Sequence, residues 1–299
     1  MCGGITVSEN NRYDIAIIGT GPAGVSAAIT ATIRKKNILL IGQASLSDKV
    51  SKAHAIQNYP GLPAVSGQEL QKALLDHLAS MDIEIHDEKV PLIYPMGSYF
   101  ALQGAGGNYE ATTVILATGV TTGKPFPGEE EFLGRGVSYC ATCDAPLYKE
   151  KNVVIIGFSP KEEAEADFMA EYASHVTYIP MYKEEPQLAK GIEVLREKPQ
   201  SISGAFKADT LTTDQGDHAY DGIFILRDSV SPKQLVPGLE LDGPHVKVSR
   251  DLSTNIPGCF ACGDIAGKPY QYIKSAGEGN VAALSAVSYL DELRRKEQG

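Results

Sequence analysis

Short apolar runs of strand length recur along this chain, separated by stretches in which apolar residues return at helical spacing. The first run, Tyr13-Asp14-Ile15-Ala16-Ile17-Ile18, is followed by Gly19-Thr20-Gly21-Pro22-Ala23-Gly24 and then by the helix-like Val25-Ser26-Ala27-Ala28-Ile29. Further strands are predicted from Asn37 to Ile41, at Val114-Ile115-Leu116, from Val153 to Ile156, from Val176 to Ile179 and from Gly222 to Leu226. Such alternation predicts a doubly wound α/β fold. The strand, turn and helix start recurs at residues 13 and 152. Two Rossmann-like, nucleotide-binding-type domains are therefore expected, the second inserted into the first. Glycine and proline cluster at Gly119 to Gly123 and at Asp242-Gly243-Pro244, which marks both as hinges. The expected division is 1–119 with 245–299, and 120–244 as the insert. A last helix is predicted from about Gly279 to Arg295. Val281, Leu284, Val287 and Leu290 fall on one face, and Arg294, Arg295 and Lys296 lie at the end where the helix dipole favours cations.

The two glycine turns differ in chemistry. In the first, Gly19 permits a tight turn, Gly21 lets backbone approach a pyrophosphate, and Gly24 lets the helix pack on the strand. The helix then aims its N-terminus, from Pro22 and Ala23, at the phosphates. The acidic residue expected about 20 positions on, for a ribose hydroxyl, is absent; the second strand ends at Ile41-Gly42-Gln43, and Gln43 is either a substitute donor or a loop residue. The second turn reads Gly157-Phe158-Ser159-Pro160-Lys161-Glu162-Glu163. Phe158 and Ser159 stand where backbone must approach phosphate, and Pro160 lacks an N–H. Glu162 and Glu163 put negative charge at the helix start, where it suits the helix and opposes an anion. This turn is expected to have lost its dinucleotide.

Composition narrows the class without naming it. The chain has 299 residues, 43% hydrophobic and 21% charged, with a net charge of −10. Those values suit a soluble globular protein of two domains. No strongly basic stripe offsets the acidity, so nucleic acid is not an expected partner. No stretch is apolar enough to span a membrane, and Met1-Cys2-Gly3-Gly4 does not resemble a signal peptide, so a cytoplasmic location is expected.

Five cysteines occur: Cys2, Cys140, Cys143, Cys259 and Cys262. Their odd number and spacing make a poor secretory disulfide framework. In Cys140-Ala141-Thr142-Cys143-Asp144, two thiols at a helix start can close a small disulfide loop with a lowered thiolate pKa. The adjacent carboxylate can move the proton that exchange needs. Half a zinc site, or two incidental thiols, are the alternatives. Zinc would need Cys259 and Cys262 as its second pair. These sit in Cys259-Phe260-Ala261-Cys262, which reads as a buried strand, so packing is the simpler role. No metal is expected. Cys2 is read as an exposed thiol without a role.

These motifs, taken with Gln57-Asn58-Tyr59-Pro60-Gly61, Ala117-Thr118-Gly119 and Gly263-Asp264 followed by Ala276-Gly277-Glu278-Gly279, cover nearly the whole length. The chain resembles the low-molecular-weight thioredoxin reductases. The resemblance implies FAD held by Gly19, Gly21 and Gly24, with Asn58 and Thr118 near the flavin. Asp264 would bond the ribityl chain or nearby phosphate, and Gly277 to Gly279 would start the last helix. It also implies that Cys143 faces the flavin, Cys140 attacks thioredoxin, Asp144 is the acid/base group, the insert rotates between partners, and the chain forms a homodimer. The departures concentrate on the nicotinamide side. The usual His-Arg-Arg reads Pro180-Met181-Tyr182, and the glycine segment that closes the insert reads Arg227-Asp228-Ser229-Val230-Ser231-Pro232. Gly-Gly-Gln is replaced by Ser47-Asp48-Lys49-Val50, and Tyr-Arg-Gln by Tyr270-Gln271-Tyr272 with one residue deleted. The pattern is similar to the ferredoxin-dependent flavin thioredoxin reductases, which keep FAD and the dithiol without NADPH. A ferredoxin donor would need a basic docking patch, for which Lys149, Lys151 and Lys161 are candidates. A flavin-dependent dithiol oxidase that uses oxygen, a reductase with an unusual nicotinamide or other donor, and a non-enzymatic flavin sensor are the alternatives.

Overall fold

The first apolar run forms β1 (Tyr13–Ile18), buried from Ile15 onward as an inner strand with a parallel neighbour on each side. A computed structural model describes residues 12–298 apart from 52, 105, 121–124 and 228–230; the side chains of residues 48, 49, 143 and 297 lie outside the description, as does Cys2. The chain divides into two compact units, residues 1–120 with 231–299, and residues 121–230.

In the first unit, α1 (Pro22–Ile33) begins with proline, whose missing N–H costs nothing in a first turn. It leads to β2 (Ile38–Gly42). The short α2 (Asp48–Ser51) and α3 (Gly67–Ala79) follow, then β3 (Ile85–Asp87), β4 (Leu92–Pro95), β5 (Phe100–Gly104) and β6 (Gly107–Leu116). β1 pairs in parallel with β2 on one side and β6 on the other, Ile18 standing beside both Ile41 and Leu116. The long β6 is shared along its length. Its first half pairs antiparallel with β5, and its second half pairs in parallel with β17 (Cys259–Ala261), Leu116 against Ala261.

The second unit opens with β7 (Val137–Ser138), the turn α4 (Ala141–Asp144) and β8 (Asn152–Gly157). Pro160 starts a 3-10 turn, so the next helix, α5 (Glu163–Met169), begins late. β9 (His175–Pro180) and β10 (Glu193–Val194) follow. A three-stranded antiparallel sheet is made by β11 (Pro199–Ser203), β12 (Thr210–Thr213) and β13 (Asp217–Ala219), and β14 (Gly222–Leu226) completes the unit. The parallel sheet has the order β10-β9-β8-β14-β7.

The return to the first unit corrects two sequence expectations. Residues 231–244 belong with the first unit and not with the insert. α6 (Pro232–Leu235) packs on β4, and β15 (Leu241–Asp242) pairs with β16 (His245–Val246) as a hairpin. Gly243, at φ 61°, supplies the left-handed step of that hairpin turn, so its Gly-Pro pair marks a local reversal and not a domain crossing. The last helix, α7 (Tyr272–Gln298), starts before Gly277 and Gly279, which lie inside it. A Cβ on Gly279 would fall 2.0 Å from the Ala23 carbonyl, so this glycine serves close packing of α7 on α1. The buried stripe of α7 is accordingly Ala282, Ala283, Ala286, Val287 and Leu290, whereas Val281 is 40% exposed.

Candidate functional site

Parallel pairing brings four separated segments of the first unit to one sheet edge. The turn Gly19 to Gly24 follows β1, Gln43 follows β2, Ala117-Thr118-Gly119 follows β6, and Gly263-Asp264 follows β17. An open α/β sheet binds ligands outside the carboxyl ends of its strands, where neighbours lie on both sides of the first strand. Gly19, at φ 114°, has no room for a side chain, since a Cβ would fall 2.4 Å from the Ala117 carbonyl. A Cβ on Gly24 would strike the Gly19 carbonyl. At Gly21 the nearest atom to such a Cβ is Ser47 Cβ at 4.0 Å, so its backbone can be approached from outside. Tight at Gly19 and Gly24 and accessible at Gly21, the turn fits an FAD pyrophosphate at the start of α1. Thr20, a residue the sequence did not single out, ties the turn to the end of β2 by donating its hydroxyl to the Gln43 carbonyl at 2.9 Å.

The first turns of α7 are fastened to the same edge. Glu278 accepts the Gly263 N–H at 2.8 Å, and Lys274 Nζ donates to the carbonyls of Gly263 and Gly267 at 3.0 and 2.7 Å. Lys274 and Glu278 also pair with each other at 3.0 Å, one helical turn apart. Ser275 Oγ donates to Asp264 at 3.2 Å, and Asn58 Nδ2 donates to Gln271 Oε1 at 2.6 Å. Asp264 and Asn58 are thus tied to the start of α7, in whose first turns Ala276 and Gly277 lie. The i, i+4 spacing of Lys274 and Glu278 was the only sequence signal for this clamp. Cys259 and Cys262 are free thiols, fully buried in the strand region; burial pushes the Cys259 thiol up to about 12 and that of Cys262 further still. They are inert packing groups.

In the second unit, β7 ends at Ser138 and delivers Cys140 to the head of α4. Cys140 is disulfide-bonded. The side chain of Cys143, the thiol expected to pair with it, lies outside the described residues. Two polar groups from elsewhere hold this turn. Ser138 Oγ accepts the Cys140 N–H at 3.2 Å and donates to Asp144 Oδ2 at 2.8 Å. Glu165, from α5, accepts the Ala141 N–H at 2.8 Å. Asp144 is therefore aimed by a hydroxyl two residues before the first cysteine.

The second glycine turn is filled by the chain itself. A Cβ on Gly157 would fall 2.0 Å from the Tyr178 hydroxyl, which lies over the glycine. Tyr178 shares a hydrogen bond of 3.2 Å with Tyr182, and Tyr182 donates to Glu163 Oε1 at 2.6 Å. Burial pushes the Tyr178 phenol up to about 12; burial and the Glu163 carboxylate push Tyr182 higher. Glu162 is 1% exposed. Phe158 packs beside Phe126, ring centroids 6.4 Å apart, and the Arg227 guanidinium lies 4.7 Å above the Phe158 ring and 5.5 Å from that of Phe126. Arg227 forms a bidentate pair with Glu129, whose side chain is wholly buried. Glu129 also accepts the Phe126 N–H at 2.8 Å and the Tyr139 hydroxyl. Burial and this carboxylate push the Tyr139 phenol far up. The cation that follows β14 is thus neutralised and capped by rings. Of the segment Arg227 to Val230, residues 228–230 lie outside the description.

The lysines considered for docking do not cluster. Lys149 and Lys151 precede β8 and Lys161 follows it, so the strand separates them by about 20 Å.

The pyridine nucleotide-disulphide oxidoreductase family matches residues 13–279. Thioredoxin reductase of Treponema pallidum is 32% identical, covering 94% of this chain and 98% of its own. Among solved structures, a ferredoxin-flavin thioredoxin reductase from Clostridium acetobutylicum is 55% identical with a TM-score of 0.89, covering 95% of this chain and 99% of its own. A thioredoxin reductase from Gloeobacter violaceus is 26% identical with a TM-score of 0.78, covering 95% and 96%. The two-unit α/β fold, the glycine turn that fits FAD and this similarity along the whole length agree: the chain belongs to the pyridine nucleotide-disulphide oxidoreductase family, as an FAD-binding disulfide oxidoreductase homologous to the thioredoxin reductases.

Proposed function

We propose that this protein reduces thioredoxin with electrons from reduced ferredoxin and does not use NADPH. The observation that carries the reading is the filled second turn. The Tyr178 hydroxyl, tied through Tyr182 to Glu163, lies over Gly157, and the next residue, Phe158, is capped by Arg227 and its partner Glu129, where a nicotinamide dinucleotide would need open backbone. The three positions at the end of β9, Pro180-Met181-Tyr182, carry no cation for a 2′-phosphate. The similarity to a ferredoxin-flavin thioredoxin reductase at 55% identity supports the same donor.

FAD, when bound, accepts electrons singly and delivers them as a pair. Gly19, Gly21, Gly24, Asn58, Thr118 and Asp264 hold it, with Lys274 and Glu278 fixing the Gly263 backbone beside Asp264. The reduced pair Cys140 and Cys143 then exchanges with thioredoxin. The Cys140 thiolate attacks one sulfur of the thioredoxin disulfide, whose S–S bond breaks as the mixed disulfide forms. The Cys143 thiolate attacks Cys140, closes the enzyme disulfide and releases thioredoxin as a dithiol. Asp144, aimed by Ser138, moves the protons between these sulfurs and solvent. Each turnover consumes two reduced ferredoxins and two protons per thioredoxin disulfide. The protein acts as a homodimer in the cytoplasm.

Steady-state thioredoxin reduction with each donor in turn tests the reading. Turnover with reduced ferredoxin and none with NADPH or NADH is expected. Efficient turnover with micromolar NADPH, and none with ferredoxin, would return the protein to the nicotinamide-dependent reductases.

A further inference from the structure

The redox turn carries one charged contact that the exchange chemistry above does not use. Glu165 stands on α5, in the helix that follows the filled glycine turn, and its Oε2 accepts the Ala141 N–H at 2.8 Å. Ala141 is fully buried, and α4 packs on α5, so this carboxylate meets the backbone immediately after Cys140. Four covalent bonds separate Cys140 Sγ from the Ala141 nitrogen, which places the Glu165 oxygen within about 8 Å of that sulfur. A fixed negative charge at this range disfavours a second one on the sulfur.

We propose that Glu165 is a positioning residue of the redox turn: its hydrogen bond to Ala141 fixes Cys140 for exchange, and its charge disfavours the Cys140 thiolate, making the enzyme dithiol a stronger reductant. The proposal rests on the reading of Cys140 as the exchanging thiol. A reductase gains from this arrangement. In the equilibrium of enzyme dithiol and thioredoxin disulfide with enzyme disulfide and thioredoxin dithiol, destabilising the enzyme thiolate moves electrons toward thioredoxin. The other charged or titratable groups on the turn and the elements packed against it are Cys143 and Asp144 within it, Tyr139 before it, Tyr148 after it, and Glu163 and Asp167 on α5. The Tyr148 phenol is held up by burial and by Asp144 and Asp221. Lys149 and Lys151 follow as exposed cations. All of these are unchanged in a Glu165 variant, so the contribution of Glu165 can be isolated.

Glu165→Gln keeps an oxygen that can accept the Ala141 N–H and removes the charge; Glu165→Ala removes both. Reduced FAD-loaded protein is alkylated with iodoacetamide across pH, and the peptide containing Cys140 is followed by mass. The midpoint is expected to fall by about half to one pH unit in both variants. Above the midpoint, the equilibrium constant for reducing thioredoxin should fall about three- to tenfold. Formation of the mixed disulfide in a Cys143→Ser background should slow in Glu165→Ala more than in Glu165→Gln, because only the alanine loses the backbone anchor. Far-UV circular dichroism and flavin absorbance establish that each variant is folded and loaded. An unchanged midpoint in folded Glu165→Gln would overturn the electrostatic role, and wild-type trapping by Glu165→Ala would overturn the positioning role. The alkylation arm contains no thioredoxin. A wild-type protein that fails to exchange with thioredoxin while the variants still shift the midpoint would count against the proposed function and for this inference.

Discussion

Removing the charge on Glu129 should destabilise the second unit sharply, because Arg227 then keeps a buried guanidinium with no counter-charge. The Glu129 side chain is fully buried and that of Arg227 is 8% exposed. Breaking one side of a buried pair costs about 3–5 kcal/mol, whereas replacing both partners by apolar groups of similar volume is often neutral. In Glu129→Gln, the amide oxygen can still accept from the Phe126 N–H, while the amide N–H2 and the lost charge leave the Arg227 guanidinium without its carboxylate. With a urea slope of about 2 kcal/mol/M, the midpoint of the affected transition should drop by about 1.5–2.5 M. The chain has no tryptophan, so tyrosine emission and far-UV circular dichroism follow the transition. The double variant Glu129→Gln/Arg227→Met should recover most of the loss, as the buried guanidinium is gone, the glutamine keeps an acceptor for the Phe126 N–H, and the methionine packs on Phe126 and Phe158. It should also stay unreactive toward NADPH, since the turn remains filled. A shift below about 0.3 M in the single variant, or a double variant no more stable than the single, would refute the argument that this pair and its rings form a closed filling of the lost nucleotide turn.

Gly279→Ala should destabilise the first unit by about 1–3 kcal/mol and weaken flavin retention on ultrafiltration, because the new Cβ must displace α7 from the Ala23 carbonyl 2.0 Å away. Ser138→Ala should slow thioredoxin reduction about tenfold in steady-state assays while leaving flavin absorbance unchanged, since Asp144 loses its aiming bond and the Cys140 N–H its acceptor. The Tyr178 phenol, raised from 10.0 to about 12, should make stability fall at alkaline pH. A raised folded value means that the contribution is complete below about pH 10 and is lost as pH rises through about 12. Tyr178→Phe should flatten this slope in urea titrations taken at stepped pH; an equally steep slope in the variant would remove Tyr178 from the account.

Local patterns predicted what depends on local sequence. β1, the first glycine turn and α1 are legible because strand periodicity, glycine placement and a first-turn proline all agree. The start of α7 was not, because Gly277 and Gly279 carry the same letter as a helix terminus; only the approach of Ala23, from the other end of the chain, shows why Gly279 is there. Gly243-Pro244 reads equally as a hinge or a hairpin turn until the partner strand is known. Ser138 was within reach of sequence reasoning, two residues before Cys140. Glu165 and Glu129 were not, since each acts on a group far along the chain. The defect of the second glycine turn was visible in Phe158 and Pro160, but its filling by Arg227, Glu129 and Tyr178 required the fold. The three lysines looked close in sequence, and an intervening strand separates them.

Anaerobic titration of the FAD-loaded protein, followed by visible absorbance, tests the filled turn most directly, with NADPH, NADH and reduced ferredoxin added in parallel. The account predicts full bleaching of the flavin band with reduced ferredoxin and none with either nicotinamide at millimolar concentration. Stoichiometric bleaching by micromolar NADPH would contradict it.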